Sequence, residues 1–600
     1  MDFKNIAQLF EHTTTKNESK ELFLYKKNNS WIGLTGKDIR IAVEDISFGL
    51  RSLGIEEKSN VAIMSNNSPR WAIADYGIIC SSMTTVTIYP TLIETQVEFI
   101  LNNSKSELIF VENEDQYLKI KSIYDSCPDL KYIVFMDDSC ENENDSLMNI
   151  SSLFDKGKKY SQSSDYSFDQ MISTIESQDI LTLIYTSGTT GIPKGVTLTH
   201  HNLLSNVKAT LEVAEFNDDE IFLSFLPLSH VLERMGGHYT ALAVGAKIYY
   251  AESIEKVPEN LVETSPSIVV CVPRLFEKMY TKIIEGLKTA PKLKKSLFYW
   301  AISVGKKYSS LKLNQKPIGF SLSLKHKIAN KLIYSKVKKK LGGNIKFFVS
   351  GGAPLSKEIG EFFSAVDVTI LEGYGLTETS PVLSVNSPPY DIKFGTVGKP
   401  LFNVEIKIAD DGEILAKGPN IMTGYYNNKE ATKEVFDQDG WFKTGDIGLI
   451  DDDGFLVITD RKKSLIVTSG GKNIAPAPIE GALSNSSYIE QIIVLGDKKN
   501  FISALIVPNF EALISFLKSL NIEISEPHAL VEHDKVLDLY NNEINKAMEK
   551  FSNYEKVKKF TLLSKPFSID NGEMTPKMSI VRKKVIENYS KLINQMYEEK

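Results

Sequence analysis

The sequence predicts an α/β fold: a large N-terminal domain of layered α/β subdomains plus β-structure, followed by a small mobile C-terminal α/β domain. Three observations carry that expectation. Short apolar runs alternate with helix-spaced segments up to residue 272, the pattern of sheets covered by helices. From 345 to 460 the chain turns to β-prone runs separated by hairpin signals, Asp410-Asp411-Gly412 and Asp451 to Gly454. After Arg461 a second, shorter α/β alternation begins. At 600 residues the chain is too long for one ordinary domain. The expected division is 1–460, a hinge at 461–463, and 464–600.

The elements follow in order. Residues 1–10 are amphipathic and do not have the charged, apolar, small-residue order of a secretory leader. Residues 61–64 and 108–111 read as buried strands, and 39–53 has helical spacing. The polar, acidic stretch 137–145 reads as a surface loop. An apolar run at 180–184 leads into a turn rich in glycine and hydroxyls, and a β-prone run at 196–199 follows: strand, turn, strand. Residues 267–272 form another buried strand. Strands at 345–349 and 368–371 each precede a glycine-rich string. In the last part, strands at 491–495 and 503–507 alternate with helices near 478–483 and 534–551.

Composition bounds the function. The chain is 42% hydrophobic and 24% charged, which is globular, and its net charge of −7 gives no general pull toward nucleic acid. Cys80, Cys127, Cys140 and Cys271 show neither metal-ligand nor disulfide spacing, so a reduced, cytoplasmic setting is expected. No run approaches the ~18 apolar residues of a membrane span, so any membrane contact is expected to be peripheral, on the inner face. One segment reverses the acidic balance: 278–340 holds many lysines and a single acidic residue, Glu285. Three readings fit it: a solvated helical face, a basic surface that docks on anionic lipid, or a contact for the phosphates of a ligand.

The most informative stretch runs from Tyr185 to Gly195. Glycines tolerate positive φ and let backbone N–H groups converge on an anion. Thr186, Ser187, Thr189 and Thr190 add hydroxyl donors, Gly188 and Gly191 add freedom, and Lys194 adds charge. Lys194 is followed by glycine and a strand, so this is not a Walker A loop, which leads into a helix. It reads as a polyphosphate cradle, although a short match of this kind is also an ordinary hairpin. Two further strings have glycines at strand ends, where a flat ligand can approach the backbone: Ser350 to Leu355, containing Gly352 and Ala353, and Glu372 to Thr379, containing Gly373, Tyr374, Thr377 and Glu378. Tyr374 offers a stacking face, and Glu378 a hard oxygen ligand suited to Mg²⁺. Asp446 can accept hydrogen bonds from both hydroxyls of a ribose, and Arg461 can add a second contact. Taken singly, these two are more often salt-bridge partners.

The order of these motifs resembles the adenylate-forming (AMP-binding) superfamily across residues 20–590. Two strings, Leu226 to Arg234 and Val272 to Lys278, look most like the long-chain fatty acyl-CoA synthetases. That resemblance implies ATP-dependent activation of a fatty acid to acyl-AMP with loss of pyrophosphate, then acyl transfer to coenzyme A. It implies that Thr186 and Glu378 hold Mg²⁺, that Thr186 to Lys194 hold the β- and γ-phosphates, that Gly352, Ala353 and Tyr374 border the adenine, and that Glu372, Gly373 and Thr377 belong to the same cofactor-binding set. Asp446 and Arg461 would meet the ribose, and His230 would lie near the acyl carboxylate. Lys463 matches the hinge, and Gly470 and Gly471 match the segment that meets the pantetheine arm. One departure concerns the catalytic lysine near the C-terminus. Counted back from Arg582 its position is Ser579, and the lysine itself is Lys577, two residues earlier. Lys577 is favoured, because a long amine can reach and serine carries no charge. Two rivals share the fold: an enzyme that loads a carrier protein, and a catalytically silent scaffold that docks on lipid.

Overall fold

A computed structural model of the chain describes residues 3–187, 193–288, 290–389, 391–462, 464–469, 472–568, 571–575 and 580–598. The strands Asn60–Met64, Thr84–Ile88 and Leu108–Val111 are buried along their whole length and pair in parallel. Strands covered on both faces read as continuous apolar runs, which is how 61–64 and 108–111 were visible in the sequence. Among the described residues they belong to an eight-stranded sheet that continues through Ile180–Ser187 and Pro193–Thr199 to Gly424–Tyr425. A nine-stranded sheet lies beside it, with Ile221–Ser224, Ile268–Cys271, Phe347–Ser350 and Ile370–Gly375 near its middle. The hairpin signals behave as expected. Gly412 and Gly454 sit at φ +84° and +82° in the turns of a four-stranded antiparallel sheet that ends with Leu456–Arg461.

One element differs from its expectation. The strand after Val368 begins at Ile370 and runs on through Glu372, Gly373, Tyr374 and Gly375, pairing antiparallel with Val382–Val385. Here glycine is required by the neighbouring strand. A Cβ on Gly375 would stand 1.7 Å from the Pro381 carbonyl oxygen.

The two large sheets are tied together by a buried charge cluster. The helix Pro69–Cys80 carries Asp75, and the π-helical stretch Leu232–Tyr239 carries Arg234, both buried. Arg234 Nε donates to Asp75 Oδ2 at 2.9 Å, and its Nη1 donates to Thr182 Oγ1 at 2.7 Å. The Tyr239 and Thr85 hydroxyls, each at 2.8 Å, complete the shell of the Asp75 carboxylate. This network fixes the segment that bears His230.

The lysine-rich segment is helical: Pro273–Lys288, Lys292–Leu313, Phe320–Ala329 and Ser335–Lys340. Its inner faces bury Phe276, Phe298, Ala301 and Tyr334 against Phe348, Phe362 and Phe363. The small C-terminal domain has a three-stranded sheet, Ile489–Leu495, Ile502–Pro508 and Val557–Leu562, with its own core around Ile479, Leu513 and Tyr540. Among the described residues no helix is long and apolar enough to cross a membrane.

Candidate active site

The strands Ile180–Ser187 and Pro193–Thr199 pair antiparallel, with Thr186 opposite Lys194. They bring the two ends of the expected phosphate turn side by side. Gly188, Thr189, Thr190 and Gly191 lie outside the described residues. Lys194 Nζ stands over the Tyr425 ring, 4.9 Å from its centroid. The Tyr425 hydroxyl in turn donates to Glu378 Oε1 at 2.9 Å, and Met422 N–H donates to the Glu378 carbonyl at 2.8 Å. Burial, and then the Glu378 carboxylate beside it, push the Tyr425 hydroxyl above its ordinary range, so it stays a donor. Tyr425 thus joins the phosphate strand pair to the string that carries Glu378. Sequence reasoning missed it. The available signal was the Gly424-Tyr425 pair, which adds a short strand opposite Thr197 and Val196.

Among the described residues no three His, Cys, Asp or Glu side chains converge. One carboxylate, Glu378, with the Thr186 hydroxyl on the facing strand pair is a sparse donor set. It fits Mg²⁺, which keeps several waters and takes oxygens from bound phosphates.

The strand Phe347–Ser350 leads into a loop with Gly352 and Ala353, both exposed. Gly352 has φ +80°, which favours glycine, and the nearest atom to a Cβ there is Val272 Cγ1 at 3.9 Å. That leaves open space above the backbone. Glu372 is buried, and its carboxylate accepts the Leu355 N–H at 2.9 Å, tying this loop to the neighbouring strand. Burial pushes the Glu372 carboxyl up to about 7. Gly373 and Tyr374 continue that strand, and Thr377 is buried at the start of the turn Thr377–Thr379. The Tyr374 hydroxyl donates to Asp446 Oδ2 at 2.6 Å. Asp446 faces Arg461 across the strands Phe442–Ile450 and Leu456–Arg461, with Arg461 Nε 3.4 Å from Oδ1. Burial pushes the Asp446 carboxyl up, and Arg461 and the Tyr374 hydrogen bond oppose that rise.

His230 is half-buried in the turn before Leu232–Tyr239. Its Nδ1 accepts the Leu232 N–H at 3.1 Å. In the small domain, Arg582 pairs with Glu480 at 2.6 Å and also donates to the Val494 carbonyl. Met574 and Ile580 pair on either side of the stretch that holds Lys577. Lys577 itself, together with Lys463, Gly470 and Gly471, lies outside the described residues.

The sequence matches the AMP-binding enzyme family over residues 10–426 and the AMP-binding enzyme C-terminal domain over residues 463–600. The chain belongs to the AMP-binding enzymes. Among the relatives of this AMP-binding enzyme is the long-chain-fatty-acid–CoA ligase FadD15 of Mycobacterium bovis, 35% identical, with 98% of this chain and 96% of that protein covered. The long-chain-fatty-acid–CoA ligase ACSBG2 of Xenopus laevis is 32% identical, covering 99% of this chain and 84% of that protein. The fold is shared with the adenylation domain of a carboxylate reductase from Mycobacterium chelonae, at TM-score 0.77 and 19% identity, covering 100% of this chain and 92% of that one. It is also shared with the equivalent domain from Segniliparus rugosus, solved with AMP and a co-purified carboxylic acid, at TM-score 0.76 and 19% identity, covering 100% and 94%. In this AMP-binding enzyme the small domain touches the large one through the helix Pro273–Lys288. Arg274 meets Glu490 at 3.2 Å, and Lys288 meets Ser487 at 3.0 Å and lies over the Tyr488 ring.

Proposed function

We propose that this AMP-binding enzyme is a long-chain fatty acid–CoA ligase. The fatty-acid carboxylate attacks the α-phosphorus of ATP, pyrophosphate leaves, and acyl-AMP forms. The thiol of coenzyme A then attacks the acyl carbon and expels AMP. The observation that carries the reading is the joining of two clusters by the strand Ile370–Gly375 and the turn after it. Tyr374 reaches Asp446 beside Arg461, and Glu378 reaches Tyr425 beside Lys194. Tyr374 and the Glu378 turn thus link an acceptor of the kind a ribose needs, on the four-stranded sheet, to a cation of the kind phosphates need, on the eight-stranded sheet. The near full-length likeness to long-chain-fatty-acid–CoA ligases supports the acid and the acceptor. The same likeness speaks against the carrier-loading enzyme and the silent scaffold.

In this reading Asp446 and Arg461 hold the ribose, and Gly352, Ala353 and the Glu372–Thr377 string border the adenine. Thr186, Ser187 to Gly191 and Lys194 hold the phosphates. Thr186 and Glu378 hold Mg²⁺, which when bound offsets phosphate charge. His230 stands near the acyl carboxylate. Such a reaction depends on positioning and on charge already in place, with little covalent help from protein. Lys577 neutralises charge in the first step. Rotation about Lys463, between 1–460 and 464–600, then exchanges it for the Gly470–Gly471 segment. We also propose that the lysine-rich helices of 278–340 contact anionic lipid at the surface of a membrane.

Pyrophosphate release over a ladder of carboxylic acids, with and without coenzyme A, tests the reading. Release with fatty acids, and thioester only when coenzyme A is present, is the expected result. Silence across the ladder overturns it. Lys577→Ala is expected to lose the first step by about 10²–10³-fold, as for other preorganised charge-stabilising groups, and still to convert supplied acyl-AMP to thioester. Survival of both steps would reassign the lysine.

A further inference from the structure

The helix Phe320–Ala329 and its π-helical continuation Asn330–Tyr334 are held to the body by one face. On that face Ala329 and Tyr334 are buried, and Leu322 and Ile333 pack on the same core. His326 stacks on Tyr308 with ring centroids 3.7 Å apart, and the Tyr334 hydroxyl donates to the Ala301 carbonyl at 2.6 Å. The other face is also apolar. Phe320, Leu324, Ile328 and Leu332 recur every fourth residue and are 84%, 49%, 45% and 37% exposed. A spacing of four keeps such residues in one row along a helix. Exposed apolar residues that occur singly are ordinary, whereas a contiguous row marks a contact surface.

Charge indicates what covers the row. Lys325, Lys327 and Lys331 are interleaved with it and exposed, and the sequence has no acidic residue from 286 to 340. Asp367, the acid beneath, is turned to His326 and Lys338 at 3.3 and 3.7 Å. A second copy of the same face would set lysines against lysines. An apolar row flanked by lysines is what an interfacial helix presents to an anionic bilayer, the apolar side chains entering the acyl region and the ammonium groups meeting phosphates. Lysine stems are long enough to keep their charge at that level.

We propose that the helix Phe320–Ala329 lies in the interface of an anionic bilayer, with Phe320, Leu324 and Ile328 buried among the lipid chains. The proposal rests on the membrane contact proposed above for 278–340 and assigns that contact to one face of one helix. The test is co-sedimentation of the full chain with vesicles of equal parts phosphatidylglycerol and phosphatidylcholine, against vesicles of phosphatidylcholine alone. The wild-type chain is expected to bind the mixed vesicles. The combined variant Phe320→Ser, Leu324→Ser, Ile328→Ser is expected to bind at least about tenfold more weakly while forming acyl-adenylate from a soluble short acid as the wild type does. Phe402→Ser, at a site 73% exposed elsewhere on the surface, is expected to bind normally. As a second measurement, Phe320→Trp is expected to show fluorescence quenched by lipids brominated in their chains. A wild-type chain that ignores both vesicles overturns the membrane contact itself. Normal binding by the serine variant, with an unquenched Phe320→Trp, overturns the assigned face and leaves the membrane contact standing. A wild-type dimer that the serine variant turns into monomer, with vesicle binding unchanged, assigns the row to a second copy instead.

Discussion

Two clusters of aspartate, arginine and tyrosine use the same groups to different ends. In one, between the two large sheets, the Tyr239 hydroxyl donates to Asp75 at 2.8 Å and Arg234 Nε faces the same carboxylate at 2.9 Å. In the other, at the candidate site, the Tyr374 hydroxyl donates to Asp446 at 2.6 Å and Arg461 Nε stands 3.4 Å away. The difference lies in what is left over. Thr85 and Thr182 occupy further positions around the first pair, and the Arg234 side chain is 1% exposed. The Arg461 side chain is 74% exposed, and its Nε lies at the long distance of 3.4 Å from Asp446. A saturated, buried cluster holds sheets together. A cluster of the same composition with an exposed guanidinium keeps donors for a ligand. Filling of the hydrogen-bonding positions, more than residue type, separates structure from function here.

The sharpest break of this comparison is Arg234→Leu. It would leave the Asp75 carboxylate buried without its cation, a loss of about 3–5 kcal/mol in unfolding free energy by urea titration. Arg234→Leu combined with Asp75→Leu removes the stranded charge and is expected to recover much of that loss, because a buried pair is worth little against apolar residues of similar volume. If the single variant costs less than about 1 kcal/mol, the cluster is not the tie it is taken to be.

Glu372 sharpens the comparison, being a buried carboxyl with a hydrogen bond from Leu355 N–H in place of an arginine. Its carboxyl is pushed up from an ordinary 4.5 to about 7 by burial. The folded state therefore holds its proton more tightly than the unfolded state. The stabilising contribution is full below the ordinary glutamate range and is lost as pH rises through about 7. Glu372→Gln keeps an acceptor for Leu355 and carries no proton to lose. Relative to this variant, the wild-type chain is expected to lose on the order of 3 kcal/mol between pH 4.5 and pH 8. Parallel pH profiles of the two chains in urea unfolding would show that Glu372 does not titrate in this range.

Much of the architecture was legible because it is local. Apolar runs announced Asn60–Met64 and Leu108–Val111, and Gly412 and Gly454 announced their hairpins. The order of site strings singles out Tyr374, Glu378, Asp446 and Arg461, of which Tyr374, Asp446 and Arg461 meet in the fold. Partners far apart in sequence were not legible. Arg234 stood in a string read only for its resemblance, and its carboxylate lies 159 residues away. The Gly424-Tyr425 pair marks at most a short strand, and the meaning of Tyr425 comes from Glu378 and Lys194. The direction of the Glu372 carboxylate, toward a backbone N–H, depends on how two strands meet. The exposed row at Phe320 was hidden for another reason: that helix is apolar on both faces, so periodicity could not say which face the core would take.

The smallest expected effect on stability is the most informative about function. Arg461→Ala removes an exposed guanidinium that meets the buried Asp446 at 3.4 Å; solvent on the arginine side screens the pair in part, and Asp446 keeps its hydrogen bond from Tyr374. The unfolding free energy is expected to fall by no more than about 1 kcal/mol, in contrast with Arg234→Leu. Catalysis is expected to respond differently. A ribose contact is made in ground state and transition state alike, so its loss raises the KM for ATP and spares kcat. A charge-assisted hydrogen bond of about 1.5 kcal/mol corresponds to roughly a tenfold rise in KM. Steady-state pyrophosphate release with ATP varied at saturating fatty acid measures both constants. A fall in kcat with KM unchanged would move Arg461 from holding the nucleotide to acting on the reacting centre. An unfolding loss as large as that of Arg234→Leu would erase the distinction between the two clusters.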